Sequence, residues 1–246
     1  MVTEVMSEAE HECKNFRADR SFSGVSVLIA CENLKPEIEA LSPREYAVHT
    51  EYVDHDYHRT PEYIGPRLQE EIDIAAAYAT RIVLGYGLCS HGTVGLKAPP
   101  QGLWIPRVHD CIALYLGARA SYEEQFRCHP GTYYLTKAWI ANERDPLGIV
   151  EKDYSPRVGS DTAWWAMKEE LKNYTRIVYI DTMGSSAEGA ALAARARENA
   201  RRLDKEYIRI PGSNAFFDKL VKGPYTKDDF VYVEEGAKVE SKSFEK

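Results

Sequence analysis

Continuous apolar, β-branched runs recur at residues 24–30 (GVSVLIA), 81–87 (RIVLGYG), 102–106 (GLWIP) and 176–182 (RIVYIDT). A run without polar alternation has no face to offer water, so each predicts a strand covered on both sides, as in a parallel sheet with crossover helices. Residues 45–50, 206–210 and 229–235 are more polar and predict strands nearer an edge. Helical periods lie between them. Residues 60–79 begin with Thr60 as N-cap and Pro61 in the first turn, while Gly65-Pro66 predicts a kink or a late start. Ser121 and Glu124 form a capping box, and residues 160–174 and 186–203 are amphipathic or alanine-rich with start signals. The Trp164-Trp165 pair is expected in the core of its helix.

Strands alternating with helices predict an α/β fold: a doubly wound, mostly parallel sheet with helices on both faces. Residues 1–22 and 236–246 carry no period and read as flexible tails around one α/β domain at 23–235, which could divide into two lobes meeting near 140–160.

Composition changes this picture in three respects. With 246 residues, 44% of them hydrophobic, the chain can bury a substantial core. A formal charge of −7 argues against a nucleic-acid groove, and no apolar stretch approaches the length of a bilayer span, so a small-molecule or protein partner and a cytoplasmic location are expected. Five cysteines without an export signal predict thiols, ligands or nucleophiles rather than a disulfide framework.

The cysteines fall in a pattern. In an open parallel sheet, ligands bind outside the carboxyl ends of the strands. The first run ends at Cys31, the second leads into Cys89, and the third leads through His109 and Asp110 to Cys111. Three thiols and a histidine match the soft-donor set of a tetrahedral zinc site, and the thiols alone suit an iron–sulfur cluster. Singly, each could be a small buried hydrophobe, with Asp110 only capping the next helix. If that helix begins at Asp110 or Cys111, its dipole is expected to lower the Cys111 thiol pKa. His58, two residues before the expected N-cap, is the candidate acid/base, whereas His55 reads as part of a solvated approach loop. Asp110, Arg107, Tyr86 and Asp181 flank strand ends and are expected around the metal or a bound ligand. Cys128 and Cys13 lack strand-end placement. The glycines at 85, 87 and 92 do not fit a dinucleotide loop, and there is no Walker loop, nucleophile elbow or H-E-x-x-H.

HRTPE (58–62), LGYGLCSHGTVGL (84–96), IPRVHDCIALYLGARASYEEQF (105–126) and HPGTYYLTKAWI (129–140) occur in order. Together they resemble the boxes of the prokaryotic family known as domain of unknown function 1638. The resemblance runs from about residue 24 to residue 235 and is densest between 80 and 140. Residue by residue it covers Cys31 after the first strand, His58 before the Pro-Glu helix start, Cys89 in the G-Y-G-L-C box and Cys111 in the P-R-x-H-D-C box. It departs at ACENL, where small residues would follow the cysteine, and at Lys137-Ala138, where proline and glycine are common. The resemblance carries no settled activity. It implies a setting beside corrinoid-dependent methyltransferases and their corrinoid proteins.

Three functions follow as expectations. The first is a zinc-dependent enzyme of methyl or one-carbon transfer, with Cys31, Cys89, His109 and Cys111 as ligands and His58 as acid/base; an H-x-C pair with a distant cysteine also serves zinc enzymes that pass methyl groups to thiols. The second is an iron–sulfur enzyme using the three cysteines. The third is a non-enzymatic accessory protein that binds a corrinoid, a metal or a methyltransferase partner.

Overall fold

In a computed structural model of the chain, residues 24–245 are described apart from Ser90, and the side chains of His58, Arg59 and Pro61 fall outside that description. The expected N-terminal tail therefore lies outside the described residues. Five strands, β1 (Ser26–Cys31), β2 (Val48–Val53), β3 (Arg81–Gly85), β4 (Leu103–Pro106) and a C-terminal strand (Phe230–Val233), form one sheet. A second sheet contains β5 (Thr132–Leu135), β6 (Arg176–Asp181) and β7 (Glu206–Pro211), which makes the C-terminal strand β8. The first sheet has the order β2-β1-β3-β4-β8, parallel except for β8, and the second is parallel throughout. The longer helices are α1 (Ile64–Ala76), α2 (Arg119–Cys128), α3 (Ser160–Glu170), α4 (Ala187–Arg202) and α5 (Ala215–Lys222).

The hydrophobic pattern explains which strands are central. β1 is buried at every residue, with β2 and β3 on either side, whereas the β2 edge is buried only at Val48 and Val53. Burying each large apolar side chain of β1 contributes about 1.5–3 kcal/mol. Gly85 permits close pairing of β1 with β3: a Cβ there would stand 2.6 Å from the Ala30 Cβ.

β6 joins the two halves by its two faces. Val178 and Ile180 pack into the core of the five-stranded sheet, while Ile177 and Tyr179 face a second cluster under α4. On α4, Leu192, Ala193, Ala196 and Ala200 form the buried stripe, and Ser186 caps its start by accepting from the Gly189 N–H at 3.0 Å.

The fold class is as expected, an α/β fold with mostly parallel strands, but the strands divide between two sheets. The second sheet lies in the sequence between β4 and β8. The C-terminal segment is not a loose tail: Val239 pairs with Gly95 and Leu96, and Val239 and Phe244 are buried. The late start of α1 occurs after a 3-10 turn at Pro61–Tyr63. Ser121 lies inside α2, whose N-cap is Ala118, so the expected capping box is absent. Trp165 is exposed rather than core, and Trp164 packs under the Arg202 guanidinium.

Candidate metal centre and adjoining cavity

β1, β3 and β4 are neighbours and parallel, so their carboxyl ends share one edge. Cys31 is the last residue of β1. The segments after β3 and β4 continue to pair, with the Leu88 N–H donating to Val108 O and the Cys89 N–H to His109 O, each at 2.9 Å. This extension requires glycine at 87, where a Cβ would stand 2.4 Å from the Val108 carbonyl oxygen. Beyond it, Cys89 (φ 45°) and His91 (φ 69°) adopt left-handed backbone conformations. Non-glycine residues persist there, at a cost of about 1–3 kcal/mol each, only when their surroundings hold them. Buried Thr93 does so, donating from Oγ1 to Gly87 O at 3.0 Å.

The three thiols gather around one phenol. Tyr86 is buried, and burial raises its pKa well above the ordinary value; negative charge on Cys31, Cys89 or Cys111 would raise it further. The Tyr86 hydroxyl and the Asn33 N–H favour the charged form of Cys31, and the Gly87 N–H that of Cys89. Such donors are aimed where thiolate charge would sit. Without a cation, burial dominates: it pushes the Cys31 thiol up to about 11 and the Cys89 thiol up to about 12. The Cys111 thiol is also raised well above the ordinary value, by burial first and then by Asp110 and the other two thiols. This reverses the expected lowering by a helix dipole. The helix after Cys111 is a single turn, Ile112–Tyr115, too short for a strong dipole, and the Asp110 carboxylate stands beside the thiol.

Cys111 also lines a cavity of about 350 Å³ between this edge and β5. Its wall is strongly aromatic, including Tyr122, Phe126, Tyr133, Tyr134 and Trp139, and Asn33 and Asp110 supply polar groups. Asp110 accepts from the Ile112 N–H at 2.9 Å and from the Tyr122 hydroxyl at 2.6 Å, so it orients the cavity wall as well as capping the turn.

The remaining candidates are placed differently. His109 is exposed and does not line the cavity; its backbone carbonyl, not its ring, ties it to the edge. The His58 side chain lies outside the described residues. Arg107 turns away from the thiols: it donates to the carbonyls of Lys227 at 3.0 Å and Phe230 at 3.2 Å, and to that of Ser243, fastening the C-terminal segment. Asp181 ends β6 in the other sheet, where it binds the Met183 and Gly184 N–H groups and Arg209. Cys128 is exposed at the end of α2.

Among the described residues, one group of three potential ligands, Glu32, Asp54 and His55, has donor atoms all within 4.8 Å of one another; the Cys31, Cys89 and Cys111 sulfurs stand farther apart than that. That tighter group is satisfied internally. Arg144 Nε donates to His55 Nε2 at 2.9 Å, leaving Nδ1 to donate to Glu32 Oε2 at 3.0 Å. His55 is thus built into an ion-pair network, which reading it as an approach loop overlooked. Sequence reasoning also passed over Asn33, Tyr122 and Tyr134, because their relevance depends on β5 lying opposite the thiol edge. The sequence signal for Asn33 was its position two residues after a strand-end cysteine.

Fold and site define an α/β protein with a thiol cluster at a parallel strand edge beside an aromatic cavity. The profile of the protein of unknown function family DUF1638 matches residues 52–221, and the chain belongs to that family. The match includes Cys89, Cys111 and the cavity's aromatic wall, while Cys31 and Asn33 precede it. No curated protein and no solved structure matches the chain. No helix among the described residues is long and apolar enough to cross a membrane.

Proposed function

We propose that Cys31, Cys89 and Cys111 hold a zinc ion whose remaining position faces the aromatic cavity, and that the protein uses this centre in corrinoid-linked methyl or one-carbon metabolism. The observation that carries the reading is the gathering of three strand-end thiols around Tyr86, with backbone N–H groups directed at two of the sulfurs. Sulfur donors suit zinc, and a dication offsets the burial that keeps these thiols protonated. Drawing the sulfurs inward would complete the ligand set. A substrate thiol at the cavity-facing position would be held deprotonated as the methyl acceptor; its lone pair forms the S–C bond while the electrons of the Co–C bond remain on the corrinoid of a partner protein. In this reading the His109 ring is not a ligand, since it is exposed.

The test is anaerobic purification followed by metal analysis and a visible spectrum. About one zinc per chain in a colourless protein supports the reading. Iron in a brown protein would replace it with a cluster held by the same cysteines. A chain that takes up neither metal would overturn both metal readings. Cys89→Ser and Cys111→Ser should each lose the metal, whereas Cys128→Ser should keep it.

A further inference from the structure

The cavity beside Cys111 contains a buried acceptor that accepts from nothing. Asn33 is 4% exposed and lines the cavity just past the end of β1, and its Oδ1 is buried without a hydrogen-bond partner. The nearby Tyr115 hydroxyl donates instead to the Asn33 backbone carbonyl, at 2.5 Å. The Tyr134 hydroxyl on the same wall is also buried without a partner and can donate or accept, so the group that Asn33 itself calls for is a donor.

Charge and wall chemistry narrow the class. Asp110 places a carboxylate in the wall, while no lysine or arginine lines the cavity. Arg176 stands behind the wall with Nε on Thr132 Oγ1 at 2.7 Å and Nη2 on Gln125 Oε1 at 3.0 Å. Tyr134 feels both charges, Arg176 and Asp110. The cation end of a ligand therefore belongs toward Asn33 and Asp110, away from Thr132. Aromatic rings supply most of the remaining surface, and their faces attract cations while accommodating alkyl groups.

We infer that the cavity binds a small alkylammonium that retains at least one N–H, with the N–H donating to Asn33 Oδ1 and the alkyl groups against Tyr122, Tyr134 and Trp139. A quaternary ammonium would use the rings and Asp110 but leave Asn33 unpaired. A neutral alcohol would satisfy Asn33 but forgo the charge. An anion would meet Asp110 directly. The inference deepens the proposed function by naming the class of molecule that would lie beside the metal, but its test does not depend on the metal.

Three probes of nearly equal size separate these contributions: tert-butylammonium carries charge and donor, tetramethylammonium charge alone, and tert-butanol donor alone. Each is titrated into the full chain as purified, with the metal content of the same sample recorded, and binding is followed by the ring-current shift of the probe's methyl protons. The expected order is tert-butylammonium first, tetramethylammonium about fivefold weaker, and tert-butanol about tenfold weaker than the first. Asn33→Leu should abolish the preference between the two cations while retaining tetramethylammonium binding. Asp110→Asn, which keeps an oxygen for the Ile112 N–H, should bring both cations toward the affinity of tert-butanol. Equal binding of tert-butanol and tert-butylammonium overturns the inference, as does no saturable binding of any probe. Either result leaves the metal measurement standing, and a metal-free chain that shows the expected order would reject the zinc site alone.

Discussion

At the carboxyl end of β6, Asp181 is fully engaged: one oxygen accepts from two backbone N–H groups at 2.9 and 3.0 Å, and the other is held by Arg209. At the carboxyl ends of β1, β3 and β4 burial raises the pKa of all three thiols, Asn33 Oδ1 has no partner, and a cavity opens alongside. Both regions obey the rule that strand ends converge with loops and turns in an open parallel sheet. The rule finds edges; the state of the polar groups distinguishes a closed turn from a site that can take a ligand. The β6 end spends its charge on its own turn and its neighbour, whereas the thiol edge has donors directed at sulfurs and an acceptor still to fill.

The largest effect should come from the backbone pairing that brings Cys89 to Cys111. Gly87→Ala places a Cβ 2.4 Å from Val108 O, a backbone atom with little freedom to retreat. We expect a loss of about 3 kcal/mol or more in denaturant unfolding, at the upper end of the usual range for single substitutions. A loss below 1 kcal/mol, by the scale of ordinary surface changes, would show that this pairing is loose.

Next in size is Tyr86→Phe, which removes the hydroxyl donor to Cys31 but keeps the ring in the core. It should cost about 1 kcal/mol of stability and weaken metal retention measurably. Unchanged retention would separate the phenol from the site. The corresponding change at the other edge, Asp181→Asn, should leave metal and probe binding intact and cost about 0.5 kcal/mol, because Arg209 is 43% exposed and solvent screens the pair.

The pH dependence of that variant sharpens the comparison. Arg209 and the two N–H groups hold the Asp181 carboxyl below the ordinary range, against the opposing effect of burial. A folded-state pKa below the unfolded one stabilises above the unfolded value, about 4, and that contribution is lost as pH falls through the folded value. Chemical unfolding across the acid range should therefore show a smaller decline for Asp181→Asn than for the wild type. An identical decline would mean that the turn contributes nothing to acid stability.

How much of this was legible in sequence varied with the range of the interactions. The apolar runs revealed β1, β3, β4 and β6 because their residues are buried on both faces. They also placed Cys31, Cys89 and Cys111 at strand ends, since that property is local. Sequence order did not reveal that β6 belongs to another sheet, so Asp181 was grouped with the thiols although hydrogen bonding places it with β7. The cavity was invisible because its walls come from the segment after β1, the turn after β4, and α2 with β5, elements brought together only by tertiary packing. Phe244 looked like part of a polar tail because one apolar residue among charged neighbours gives no period, yet it is buried. His109 looked like a ligand by its H-x-C spacing, but the turn after β4 exposes its ring and buries the neighbouring thiol.

The central claim is that three strand-end thiols form one metal site, and cobalt(II) substitution tests it most directly. Cobalt is added anaerobically to the metal-free chain and to its Cys31→Ser, Cys89→Ser and Cys111→Ser variants, and the near-ultraviolet thiolate-to-cobalt absorption is recorded with the visible bands of tetrahedral cobalt. The account predicts both features in the wild type and a reduction or loss of the sulfur absorption in each variant. Cobalt bound without sulfur absorption, as would occur at Glu32, Asp54 and His55, or sulfur absorption indifferent to all three substitutions, would contradict it.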